Sequence, residues 1–151
     1  MIVIKILLGS VMLIISDNLI KIIKKQGEKG YPFEICGFLI GKIDFENDIR
    51  EVYEVFQVEN QNKERANDRF EISPKDFLKV EDYSSKKNLE IVGIYHTHPD
   101  HPNRPSQTDL MFAQPDMSYI ILSVKNGKAE DWKSWVLNDE GKFVEEKVKI
   151  I

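Results

Sequence analysis

Hydrophobic residues along the chain fall into short runs set off by polar or proline-rich breaks, and most runs have the length of strands. Ile91, Val92, Ile94 and Tyr95 follow one another without a charged residue, the pattern of a central strand buried on both faces. Residues 35–40 and 117–124 read the same way, and 12–15 make a shorter strand. The segment V-Y-E-V-F-Q-V within 50–59 predicts a strand that takes apolar surface from Val52, Val55 or Phe56, and Val58. After a polar loop at 60–68, Arg69-Phe70-Glu71-Ile72 reads as another short strand. Asn126-Gly127 signals a hairpin leading into 132–137, Asp139-Glu140-Gly141 a second turn, and 142–150 an edge strand whose lysines discourage stray pairing.

Between these runs the period changes to that of a helix. Ser16 caps a segment in which Leu19, Ile20, Ile22 and Ile23 alternate with lysines and which ends near Gly27 to Gly30. Ser73-Pro74 opens a second helix running to about Lys87, with Phe77, Leu78 and Val80 as its apolar contacts. Ser106 caps a third, S-Q-T-D-L-M-F-A, with Asp109 in the first turn. The pattern alone predicts a mixed α/β domain.

Composition adds little to this. With 151 residues, 42% hydrophobic and 30% charged, the chain suits a single domain over 1–151. A net charge of −4 argues against nucleic acid as the main partner, which needs a concentrated basic face. The one cysteine, Cys36, cannot form an internal disulfide; it reads as a core residue, and a cytoplasmic location is expected. The opening run M-I-V-I-K-I-L-L-G-S-V-M-L-I-I is too short to span a bilayer and lacks a small-x-small cleavage site, so no membrane partner is expected. Residues 1–11 are read as an N-terminal extension, or Met12 as the native start.

The chemistry is concentrated after the central strand. Strand alternation sends His96 and His98 to one face and Thr97 to the other. Pro99, Pro102 and Pro105 then force an extended, rigid loop before Ser106 and Asp109, which share a helix face. An H-x-H pair alone is usually two ordinary histidines, and S-x-x-D alone is usually a capping box. Together, at the end of a buried strand and across a stiff loop, they suit a zinc site with His96, His98 and Asp109 as ligands and a fourth position for water. Zinc lowers the pKa of such a water from about 16 to about 7, so the site reads as hydrolytic. Composition alone makes Glu34 a solvated strand end, His101 a loop or rim residue, and Trp132 and Trp135 packing anchors.

H-T-H, seven residues, then S-Q-T-D resembles the H-x-H-(x7)-S-x-x-D motif of the JAMM/MPN-domain metalloproteases, and Glu34-Ile35-Cys36-Gly37 fits that family's upstream glutamate segment. The resemblance runs from about Met12 to the C-terminus. It implies a mixed, curved β-sheet flanked by helices, the cytidine-deaminase-like α/β/α fold. It further implies one zinc ion with a catalytic water, Glu34 as the base that moves the proton, and Ser106 as the donor to the oxyanion. The chain looks most like the compact prokaryotic branch, which implies peptide or isopeptide cleavage at the glycine-rich tail of a ubiquitin-like sulfur-carrier protein, the tail adding to a sheet edge. The alternatives are a non-catalytic MPN scaffold and an isopeptidase acting on other ubiquitin-like modifiers; a homodimer is left open.

Overall fold

The computed structural model describes residues 12–151, so the expectations for residues 1–11 lie outside the described residues. In chain order the elements are β1 (Met12–Ile15), α1 (Asp17–Gly30), β2 (Cys36–Asp44), β3 (Ile49–Val58), α2 (Pro74–Lys86), β4 (Glu90–Pro99), α3 (Gln107–Phe112), β5 (Ser118–Lys125), β6 (Lys128–Leu137) and β7 (Phe143–Ile150). The strands form one mixed sheet in the order β1-β3-β2-β4-β5-β6-β7, curved until it closes. β4 lies at its centre, antiparallel to β2 and parallel to β5.

Two apolar clusters divide the molecule. The larger draws Leu13, Leu39, Val52, Val92, Tyr95, Ile120, Leu122, Trp132 and Val148, at least one residue from each strand, around Ile20 and Ile23 of α1. A cluster fed by all seven strands is the inside of the curve, and α1 plugs it. The smaller sets Phe38 and Ile40 of β2 under Val80, Phe77 and Tyr83 of α2, on the outer face. One helix therefore covers each face of the sheet. Gly27 lets α1 come this close, since a Cβ there would lie 2.9 Å from the Thr97 methyl.

Several expectations change. The stretch 142–150 is not an edge strand: β7 pairs with β6 on one side and in parallel with β1 on the other, Met12 opposite Lys147. That closure joins the two ends of the described chain, which no local pattern signals. Among the described residues the sheet therefore has no unpaired outer strand. Arg69 to Ile72 is irregular and joins no ladder; the Asn60 side chain and a single Gln61 N–H to Glu71 carbonyl bond hold it instead. β4 continues through Pro99, which fits because it is the last residue paired with β5. Leu78 is 63% exposed, since Phe77, Val80 and Ser84 define the buried stripe of α2, and Ile22 is likewise exposed beside the Ile20, Ile23, Gly27 stripe of α1.

A buried ion pair anchors the return from α3 to the sheet. Arg50 of β3 donates through Nε to the Asp116 carbonyl at 3.2 Å, and its Nη1 lies 3.5 Å from Oε2 of Glu146 in β7. Ser134 donates to the other Glu146 oxygen at 2.7 Å. Burial holds the Glu146 carboxyl above its ordinary 4.5, Ser134 and Arg50 pulling it only part of the way back. An acid whose pKa rises on folding contributes stability below its unfolded-state value and loses it as pH climbs through the folded one. Arg50→Ala removes the compensating charge and is expected to lower stability by about 3–5 kcal/mol, with a larger loss at pH 8 than at pH 5. Urea unfolding at the two pH values checks this, and an equal loss at both would contradict it.

Candidate metal centre

The end of β4 delivers both histidines to one point. His96 and His98 Nε2 atoms lie 3.2 Å apart, and the intervening Thr97 points to the opposite face. His98 Nδ1 is 2.7 Å from the Pro102 carbonyl, which can only accept, so the proton sits on Nδ1 and the Nε2 lone pair faces the centre. The proline loop thereby fixes a tautomer. Trp135 Nε1 steadies the same loop by donating to the Asn103 carbonyl, and Ser123 does so by donating to the carbonyl of exposed His101.

Across the loop, Ser106 and Asp109 form a reciprocal capping box at the start of α3. The Asp109 N–H donates to the Ser106 hydroxyl at 3.0 Å, and the Ser106 N–H donates to Asp109 Oδ2 at 2.8 Å. This aims the carboxylate: Oδ1 lies 3.3 Å from His96 Nε2 and Oδ2 lies 3.2 Å from His98 Nε2. The cap thus holds the carboxylate against both imidazoles.

Glu34 arrives from the other side, two residues before the paired start of β2, and is only 5% exposed. Thr97 holds it there. Its N–H donates to the Ile35 carbonyl at 3.1 Å and its hydroxyl oxygen accepts the Ile35 N–H at 2.9 Å. Donor atoms of Glu34, His96 and His98 all fall within 4.8 Å of one another. The structure thus brings Glu34, His96, His98 and Asp109 together, with Ser106 at the rim. Either carboxylate could complete a metal set with the two imidazoles, but only Asp109 touches both.

Residues 16–138, a span holding all five of these positions, match the family of prokaryotic homologs of the JAB domain. The chain belongs to the prokaryotic JAB family. The resemblance carried by H-T-H and S-Q-T-D is thereby borne out, as is the curved mixed sheet it implied, and the enzyme is of the JAB peptidase or isopeptidase type. Among its relatives, a desampylase from Pyrococcus furiosus is 34% identical over 119 residues, 78% of this chain and 76% of that one. A CysO-cysteine peptidase from Mycobacterium tuberculosis is 26% identical over 140 residues, 92% and 91% of the two chains. A solution structure of a Desulfitobacterium hafniense protein superposes with a TM-score of 0.80 at 27% identity, covering 93% of each chain.

Within this JAB centre, burial and the carboxylates pull in opposite directions. Burial pushes His96 below its ordinary pKa despite Asp109, so its imidazole is neutral at pH 7. For His98 burial acts the same way, but Asp109 and the Pro102 carbonyl outweigh it and raise the value. Burial alone would raise Asp109; His96 and His98 overcome it and hold the carboxyl well below the usual range. Burial carries Glu34 up to about 8 against the pull of His98, and its Oε1 has no hydrogen-bond partner.

Two neighbours of the centre carry no local sequence signal. Phe70 stacks on the His96 ring with centroids 4.4 Å apart and planes at 26°. Asn60 ties the backbone of Glu34 to the segment carrying Phe70. Both sit in stretches whose composition reads as loop or short strand. Cys36, as expected, is core: fully buried, with its thiol pushed up to about 12 by burial. Thr97→Val keeps the shape of the JAB site and removes one acceptor, leaving the buried Ile35 N–H unpaired. A stability loss of about 1–3 kcal/mol is expected from denaturant unfolding, and no measurable loss would contradict the clamp.

Proposed function

We propose that this JAB-family enzyme is a zinc-dependent hydrolase that cuts a peptide or isopeptide bond at the C-terminal tail of a ubiquitin-like, sulfur-carrier protein. The observation that carries the reading is the convergence of two imidazoles, the Asp109 carboxylate and buried Glu34 beside an apolar cavity of about 570 Å³. His96, His98 and Asp109 are assigned as the ligands of one zinc ion. The donor set fits: two nitrogens, one with its lone pair set free by Pro102, and one anionic oxygen already held by Ser106. Cys36 remains a thiol and takes no part.

Held by His96, His98 and Asp109, a zinc ion would supply Lewis acidity and would make a neighbouring water more acidic. Glu34, with an unpartnered oxygen and a pKa pushed up to about 8, takes a proton from the attacking water and delivers it to the leaving amine. The Ser106 hydroxyl accepts from the Asp109 N–H, so its own proton is free for the substrate carbonyl oxygen as charge develops there. Such a donor is worth about 3–4 kcal/mol.

The cavity explains how an extended tail reaches these groups. His96 and Asp109 form its polar end, and Phe70, Ile72, Phe77 and Phe112 its apolar walls. Because the sheet closes on itself, we place the tail in this groove between the 69–72 segment and α3 and not on a sheet edge as an added strand. The desampylase and the CysO-cysteine peptidase among the relatives support a ubiquitin-like substrate.

Mass spectrometry of sulfur-carrier proteins bearing a C-terminal extension, incubated with the zinc-loaded enzyme, tests the reading. Loss of the extension, abolished by chelator, is expected; an unchanged mass across several carriers would favour an isopeptidase acting on another ubiquitin-like modifier, or a scaffold role. Glu34→Gln should keep one zinc per chain while kcat falls by about 10²–10⁴. Asp109→Ala should lose both zinc and turnover. Near-native activity in Glu34→Gln would remove Glu34 from the proton path.

A further inference from the structure

Asn60 follows β3 in a stretch whose composition suggests plain loop, yet its carboxamide uses its full hydrogen-bonding capacity. Nδ2 donates to the Glu34 carbonyl at 3.1 Å and to the Arg69 carbonyl at 2.9 Å. Oδ1 accepts the Asn62 N–H at 3.0 Å and the Glu71 N–H at 3.1 Å. Two carbonyls on one side and two N–H groups on the other allow only this orientation of the amide, so nitrogen and oxygen are assigned without ambiguity.

The four partners are not scattered. The Glu34 peptide is held from both ends, since its N–H donates to the Ala66 carbonyl while Asn60 takes its carbonyl. Arg69 and Glu71 flank Phe70, the residue stacked on His96, and the same segment walls the cavity. No other side chain among the described residues bridges the Glu34 backbone to that segment by a recorded hydrogen bond.

We propose that Asn60 is a positioning residue of the hydrolytic centre, joining the Glu34 backbone to the Phe70 wall so that proton shuttle, His96 ring and substrate groove keep one fixed arrangement. The assignment rests on the hydrolytic reading for its catalytic consequence, and on hydrogen-bond geometry alone for its structural one. Active sites tolerate little slack: a displacement of about 1 Å costs on the order of a hundredfold in rate. Removing the amide frees two carbonyls and two N–H groups at the point where the segment meets Glu34, so the two are no longer held in register.

Asn60→Ala and Asn60→Asp separate the donor and acceptor arms. In the metal-free protein, Asn60→Ala is expected to speed amide exchange at Asn62 and Glu71 by about tenfold or more, and to shift the His96 ring resonances as Phe70 leaves its stacked position. In the zinc-loaded enzyme, zinc per chain stays native, kcat on the extended sulfur-carrier protein falls about a hundredfold, and KM changes only a few-fold. A residue that merely bound substrate would instead move KM. Asn60→Asp keeps the acceptor, so protection at Asn62 and Glu71 returns. Its second oxygen opposes the carbonyls of Glu34 and Arg69, so kcat stays low; this variant also serves if the alanine variant does not fold. Native kcat in either variant, or unchanged His96 resonances in Asn60→Ala, overturns the proposal. If the native enzyme cleaves no carrier, the hydrolytic reading falls by itself, and the exchange and ring-resonance results still support or overturn the positioning of Glu34 and Phe70.

Discussion

Two hydrogen bonds between Thr97 and Ile35 set the geometry on which the site depends. They extend the antiparallel register of β2 and β4 one step beyond the Cys36 and His96 pair, and so place Glu34 opposite the two histidines. The alternation that turns His96 and His98 outward turns Thr97 inward, against Gly27 of α1. A one-residue slip in that register would reverse all three side chains at once. The apolar interior that locks β4 between β2 and β5 is therefore also what aligns the donor atoms.

Around this junction, polar groups are buried in sets in which each member orients the next. Pro102 fixes the tautomer of His98, Ser106 aims Asp109, Asn60 holds the carbonyl of Glu34, and Arg50 secures the Asp116 carbonyl behind α3. These groups sit at strand ends and in the segments that leave the sheet, whereas the middles of the strands are filled mainly by apolar side chains. A barrel with a polar rim of this kind can lower the pKa of the His96 imidazole, raise that of His98 and carry the Glu34 carboxyl up to about 8 in adjacent positions, because burial and local partners act on each group separately.

What could be read in the sequence was local. The continuous apolar run before His96, the H-x-H alternation, the proline loop and the Ser106 to Asp109 cap all lie within one stretch, and each follows from a short-range rule. The Asn126-Gly127 hairpin was legible for the same reason, both residues taking positive φ. What could not be read depends on residues far apart in the chain. The β1 to β7 pairing that closes the sheet, the burial of Glu34, the stacking of Phe70 on His96 and the four bonds of Asn60 have no local pattern. Glu34 is the instructive case: its composition suggests a solvated strand end, and only the family motif singled it out before the fold placed it at the centre. Leu78 and Ile22 fail differently, since apolar residues beside a helical stripe are indistinguishable from members of it until the packing partner is known.

X-ray absorption at the zinc edge of the zinc-loaded protein tests the central claim most directly, because it reads the ligand atoms themselves. A site made by His96, His98 and Asp109 predicts two imidazole nitrogens and two oxygens at about 2.0–2.2 Å, with no sulfur. A sulfur shell at about 2.3 Å, or a spectrum with no imidazole contribution, would contradict it.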